Sequence, residues 1–194
     1  MKKLSFAAGA AVLAAIAAPL GAQQLTAKSY DFIHAVEQRN GDKATELLND
    51  NPPGIVNSRN GDGDTGLIIA ISRQDPDWTG FLLKKGADIN LGGHGGDTPL
   101  IAAARIGFED AAEWLISLGA KVDATNKMGE TPLIVAVQQR EPRLVSMLLN
   151  AGANPDKPDS AAGYSARDYA ARDNRGRQIL QLIEAKKPKP PAAH

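Results

Sequence analysis

A 33-residue period constrains this chain more than any other feature. The segments "DTGLIIAISRQ" (Asp64–Gln74), "DTPLIAAARIG" (Asp97–Gly107) and "ETPLIVAVQQR" (Glu130–Arg140) begin 33 residues apart. Thr65, Thr98 and Thr131 mark one end of the period, and Gly86, Gly119 and Gly152 the other. Between them, "FLLKKGADIN" (Phe81–Asn90), "WLISLGAKVD" (Trp114–Asp123) and "MLLNAGANPD" (Met147–Asp156) keep one apolar pattern. A period of this length means that each unit is a single supersecondary module. Such a module buries its apolar face only by stacking on its neighbours.

The middle copy shows how one module is built. Thr98 is a good helix N-cap, and Pro99 falls at the first helical position, where its missing N–H costs nothing. "LIAAARI" then forms a short first helix whose alanines let a neighbour approach closely, and Gly107 ends it. A second helix, "EDAAEWLISL", spaces Ala111, Ala112, Leu115, Ile116 and Leu118 for one buried face, and Gly119 closes it. "AKVDATNKMGE" crosses to the next unit through a turn. Pro76 and Pro142 test this frame independently, because proline breaks a helix interior. They lie 66 residues apart, each after an acid (Asp75, Glu141), in the slot where a second helix begins.

A 33-residue unit with T-P-L-x-x-A, a glycine between two helices and a G-A-D-x-N ending resembles the ankyrin repeat. The resemblance spans about Tyr30 to Lys186. It implies an all-α ankyrin-repeat solenoid of stacked antiparallel helix pairs with projecting hairpin-like loops. The expected layout is three full repeats at 60–92, 93–125 and 126–158, with capping repeats at 29–59 and 159–185. In the N-terminal cap, "YDFIHAVEQRNGDKATELLND" splits at Asn40-Gly41, so its first helix is expected to be about two residues longer than the others, measured from Ala35 to Gly41. In the C-terminal cap, Ser165 and Ala170 keep the Thr and Ala slots, and Arg167, Asp168, Arg172 and Asp173 give its first helix a polar face. Two departures stand out. The histidine usual after T-P-L is replaced by Ile68, Ile101 and Ile134, which implies apolar packing there. Gly66 replaces the usual proline, and the cost of glycine in a helix makes the first full repeat the expected weak point.

Outside the repeats, "MKK", the uncharged run "LSFAAGAAVLAAIAAPL" and "GAQQ" form the n-region, h-region and cut site of a signal peptide, residues 1–22, cleaved near Ala22. The expected domain is then 23–185, followed by a Lys/Pro tail, 186–194, that buries nothing. The run is short for a bilayer span, so no membrane anchoring is expected after cleavage. The signal's style looks bacterial, and the expected location is the periplasm or the medium. Loss of Lys2 and Lys3 leaves 20 basic against 22 acidic residues. That balance argues against nucleic acid or anionic lipid as a partner. The chain has no cysteine, so neither disulfides nor lipidation at the signal junction are available to it.

Catalytic chemistry is not evident. His34, His94 and His194 show no ligand spacing, so no metal is expected. "GGHGGD" (Gly92–Asp97) lacks the G-K-[ST] of a phosphate loop and falls where the repeat turns, so it reads as a tight turn with glycines at positive φ. No nucleophile has an identifiable base, and no cofactor or enzymatic activity is expected. Trp114, in the slot of Phe81 and Met147, and Trp78, in the slot of Ala111 and Leu144, read as core.

In the ankyrin family, partners dock on the concave side, formed by the hairpin tips and the exposed face of the first helices. Carried over by slot, the variable positions before the inter-helix turn are Ser72 and Arg73, Arg105 and Ile106, and Gln138 and Gln139. Arg39 with Asn40, and Arg172 with Asp173, stand there in the caps. Hairpin positions include His94, Met128 and Tyr164. Interfaces favour Arg, Tyr and Met. The expected partner-binding set is therefore Arg73, Arg105, Ile106, Met128, Gln138, Gln139 and Tyr164, on a monomer that presents a rigid surface to an unidentified protein. Two rival readings are a secreted effector acting on a host protein and a small-molecule or enzymatic role. The second requires shifted titratable groups clustered in one pocket.

Overall fold

Thr65, Thr98 and Thr131 each begin a helix with extended backbone, and their hydroxyls accept from the N–H of Ile68, Ile101 and Ile134 at 3.3, 3.3 and 3.2 Å. Ser165 does the same for the last module and forms a reciprocal capping box with Asp168. These caps set the register of ten helices in the computed structural model, which describes residues 20–50, 54–174 and 176–186. They are α1 (Leu20–Glu37), α2 (Gly41–Asn49), α3 (Gly66–Ser72), α4 (Pro76–Lys84), α5 (Pro99–Ile106), α6 (Glu109–Ser117), α7 (Pro132–Gln138), α8 (Pro142–Asn150), α9 (Ala166–Arg172) and α10 (Arg177–Ala185). Pro76 and Pro142 both stand in the first turn of their helices, as the 66-residue spacing required. Among the described residues there are no strands, only two isolated bridges at hairpin necks, Arg59 with Thr65 and Pro158 with Ser165.

The first helices α1, α3, α5, α7 and α9 stack side by side, and the second helices form a parallel outer row behind them. The inner row packs more closely than the outer one. One core runs through the modules. Leu67, Leu100 and Leu133 fill one slot, Ala70, Ala103 and Ala136 the next, and Leu82, Leu115 and Leu148 seat the outer row. Ile68, Ile101 and Ile134 are buried too, so apolar packing does replace the usual histidine. A Cβ on Gly66 would lie 3.4 Å from Val36 Cγ2, an ordinary contact, so packing does not demand that glycine.

Two sets of bonds tie each module to the next. Side-chain oxygens of Asn57, Asn90 and Asp123 accept from the N–H of Asp88, Lys121 and Asn154 at 2.8–2.9 Å. At the inter-helix turn, a residue in the left-handed region reaches forward. Arg39 (φ 56) meets Asp75 at 3.0 Å, Gln74 (φ 51) donates to Ile106 O at 2.8 Å, and Arg140 (φ 60) meets Asp173 at 2.6 Å. Only Gly107 has no side chain to offer. There Glu141 of the following module closes over the backbone, and a Cβ would meet its Oε1 at 3.0 Å. Three of the four turns thus accept the strain of a non-glycine left-handed residue and gain a cross-module contact.

Several sequence expectations need correction. The two extra residues of the N-terminal cap do not lie between Ala35 and the inter-helix turn, although α1 itself runs to 18 residues. Arg39, not Gly41, occupies the left-handed turn, and Asn40 N donates to Ala35 O as Asp75, Phe108 and Glu141 do to Ala70, Ala103 and Ala136. The two additional residues lie between Leu47 and Asn57, where the first full repeat has the shorter run Leu82 to Asn90. Leu118 is 56% exposed because α6 stops at Ser117 and the chain turns outward. Trp114 is half-buried along an outer groove with Phe81 rather than core, whereas Trp78 is buried edge-on to Phe81. Residues 1–19 and 187–194, which carry most of the expected signal and tail, lie outside the described residues. Since α1 begins at Leu20, the expected cut near Ala22 falls in its first turn. No helix among the described residues is long and apolar enough to cross a membrane.

Candidate partner-binding face

The hairpins project beside the inner helices, and their geometry comes from one repeated side chain. Asn60 and Asn126 accept from two backbone N–H groups two and four residues on, and Asp159 accepts from those of Ala161, Ala162 and Gly163. These are Asx turns that pre-order a loop. The second hairpin breaks the series with Gly93. Its missing side chain leaves a hollow that the Asp64 carboxylate enters from the preceding module, accepting from His94 N at 2.7 Å. The "GGHGGD" segment is thus a turn, with positive φ at Gly95 (66°) and Gly96 (82°). Neighbouring hairpins are stitched by backbone bonds, Lys127 N to Gly95 O at 2.9 Å and Ser160 N to Met128 O at 2.8 Å.

The seven expected contact residues divide into two groups. Arg73, Met128, Gln138 and Gln139 are exposed, with Met128 at 50%. Arg73 donates to Glu37 O at 2.8 Å and has no carboxylate partner among the described residues. Arg105, Ile106 and Tyr164 are half-buried and already engaged. Ile106 packs against the core, so the expectation of a freely exposed apolar side chain is corrected. Arg105 is held bidentate by Asp97 at 2.8 and 3.1 Å and touches Glu130 at 3.4 Å. Asn126 Nδ2 donates to both carboxylates at 2.8 Å and completes the cluster. Hydrogen bonding to Asp97, above all, holds the Arg105 guanidinium more firmly protonated than usual, against the opposing effect of its partial burial. Arg105 therefore clamps one module's hairpin to the next and is a framework residue.

The C-terminal end of the face is built around two tyrosines. Tyr169 on α9 donates to Asp159 Oδ2 at 2.6 Å. That bond, reinforced by burial, pushes the phenol up to about 12. Burial alone would raise the Asp159 carboxyl. The Tyr169 hydroxyl and the N–H groups of Ala162, Gly163 and Ala161 outweigh it and hold Asp159 below its ordinary value. Tyr164 stands edge-on to Tyr169, with ring centres 5.6 Å apart, and the Arg172 guanidinium lies 3.7 Å over the Tyr164 ring. Val137, Gln138, Arg140, Tyr169, Arg172 and Asp173 line a groove between α7 and α9. Arg172, Arg140 and Tyr169 were missing from the sequence-derived set. The opposite charges of Arg140 and Asp173 at the repeat spacing were the available clue.

Each shifted group has a structural explanation, whether a hairpin clamp, a cap, a cross-module pair or, for Lys43 with Glu46, a pair within α2. Arg140 is held protonated by hydrogen bonding to Asp173, Arg167 by hydrogen bonding to Asp156, and Asp168 is lowered by its bonds to Ser165. Among the described residues, no group of three or more His, Cys, Asp or Glu side chains is placed to hold a metal ion.

Comparison with known proteins agrees with this geometry. No curated protein matches the chain. The family model for ankyrin repeats, in three copies, matches residues 32–126 and 68–159. Proteins built of these repeats are generally protein–protein interaction modules and typically non-enzymatic. With two thirds of its length covered by that model and its helix pairs stacked in the same register, the chain belongs to the ankyrin-repeat family.

Proposed function

We propose that this protein is exported to the bacterial periplasm, where it binds a protein partner as a monomer through the inner-helix and hairpin face of its stack. The observation that carries the reading is the contrast along that face. Frame residues repeat from module to module, whereas the exposed Arg73, Gln138, Gln139 and Met128 differ. Bonded hairpins and packed inner helices support rigid presentation, so little conformational entropy is lost on binding. Residues 1–22 support export: a basic start, an apolar run and a small residue at the cut.

A photo-crosslinking amino acid placed at Gln139 or Met128, and at outer-row Glu113 as control, tests the proposal in cells of the native organism. Specific adducts from the first two positions and not from Glu113 are the expected result. Equal labelling at Glu113 overturns the assignment of the face, and recovery of the protein only in the cytoplasm or the medium overturns the location.

A further inference from the structure

We infer that the groove between α7 and α9 takes an acidic side chain from an extended segment of the protein partner, with Arg172 as its anchor. The inference rests on the inner face being the binding face, and it names the chemistry recognised there. Arg140 and Arg172 both line the groove against one carboxylate, Asp173. Asp173 is held bidentate by Arg140 at 2.6 and 3.2 Å. No carboxylate among the described residues lies within ion-pair distance of Arg172. The groove lining therefore sets two guanidiniums against one carboxylate, with Asp168, one turn earlier on α9, also within electrostatic reach of Arg172.

The Arg172 guanidinium is not a loose surface cation. Its central carbon lies 3.7 Å over the Tyr164 ring, a cation–π contact that anchors it. A guanidinium is a planar fork of N–H donors, which suits a carboxylate better than a flexible ammonium does. Tyr164 is supported edge-on by Tyr169, which Asp159 fixes in turn, so the aromatic platform is anchored to the cap hairpin. Beside the cation, Val137 gives the groove an apolar floor, and the exposed Gln138 is hydrogen-bonded to the Tyr169 hydroxyl. Charge, platform and floor together fit a glutamate or aspartate flanked by a small apolar residue.

The test titrates the full chain with end-blocked heptapeptides carrying one glutamate between valines, and with their glutamine counterparts, followed by backbone amide NMR. The glutamate peptide is expected to shift residues 137–140 and 169–173 and to bind about tenfold more tightly than the glutamine peptide, one bidentate charged contact being worth roughly that factor. Arg172→Gln should make the two peptides equal, and Arg172→Lys should restore only part of the difference. Arg172 is exposed, so both variants keep the fold, which the unshifted remainder of the spectrum verifies. Equal binding of the two peptides, shifts elsewhere, or no binding at millimolar peptide overturns the inference. Crosslinks at Gln139 would still stand in that case, which separates failure of the acidic specificity from failure of the face itself.

Discussion

Thr79 lies on α4 with none of its surface exposed, and its hydroxyl has no hydrogen-bond partner. The same slot holds Ala112 and Val145 in the next two modules, both fully buried and apolar. A buried hydroxyl without a partner loses its bonds to water and gains nothing in return, at a cost of about 1–2 kcal/mol in proteins. Valine has the shape of threonine and nearly the same helix propensity, so Thr79→Val removes that cost without opening a cavity. The variant should gain about 1–2 kcal/mol in urea unfolding followed by circular dichroism, with Tm rising by roughly 3–6 °C for a domain of this size. Val145→Thr, the reverse change in the same slot, should lose a similar amount. If Thr79→Val is neutral or destabilising while Val145→Thr behaves as expected, the Thr79 hydroxyl is bonded in solution and the reasoning fails.

Other outcomes follow from the same geometry. Arg105→Ala leaves Asp97 and the buried Glu130 with only Asn126, so stability should fall by about 1–3 kcal/mol, and Arg105→Glu should cost more; a loss confined to partner binding would show that the clamp is dispensable. Asp159 is held below its ordinary value and Tyr169 above, so their contribution should be present from about pH 4 to 10, the unfolded values of the two groups. It should fade on the acid side as Asp159 protonates and on the alkaline side as Tyr169 ionises toward about 12. In Asp159→Asn, phenolate absorbance should place the Tyr169 titration lower than in the parent; an unchanged titration would remove Asp159 as the cause. Leu115→Ala should cost roughly 2–5 kcal/mol as a fully buried leucine, and the half-buried Ile106→Asp less; equal losses would place Ile106 fully in the core. Gly66→Ala should gain about 0.5–1 kcal/mol because its Cβ fits, and a loss would mean that Val36 cannot tolerate it.

Local rules made the frame legible. Thr98 and Pro99 start a helix wherever they occur together, and the spacing of Pro76 and Pro142 located two more starts without any tertiary information. The periodic leucines and alanines identified the core because one core slot recurs in every module. Contacts specific to a single junction were not legible. Arg105 sits in a variable slot, and nothing in the adjacent sequence shows that Asp97, eight residues earlier, and Glu130, in the next module, converge on it. Between the two helices of a module, glycine marks the left-handed turn only at Gly107; Arg39, Gln74 and Arg140 adopt the same conformation against their own preference because each finds a contact across the junction. That exchange misplaced the turn at Gly41 in the N-terminal cap. Leu118 fits the periodicity and still faces outward, because periodicity does not show where a helix stops.

The hollow over Gly93 gives the modules a fixed grammar. Asp64 fills it from the unit before, whereas the later junctions set Asp97 against Asn126 and stitch Met128 to Ser160. The first two joints are therefore different locks with their own keys, although the backbone stitch of Lys127 to Gly95 recurs as that of Ser160 to Met128. Duplicating or shuffling a whole unit in this chain would leave one lock empty or one key colliding with a side chain, despite near-identical helices. Lineages that lengthen such an array, and engineers who wish to, must rewrite both sides of a seam together; the helices can be copied, but the seams cannot.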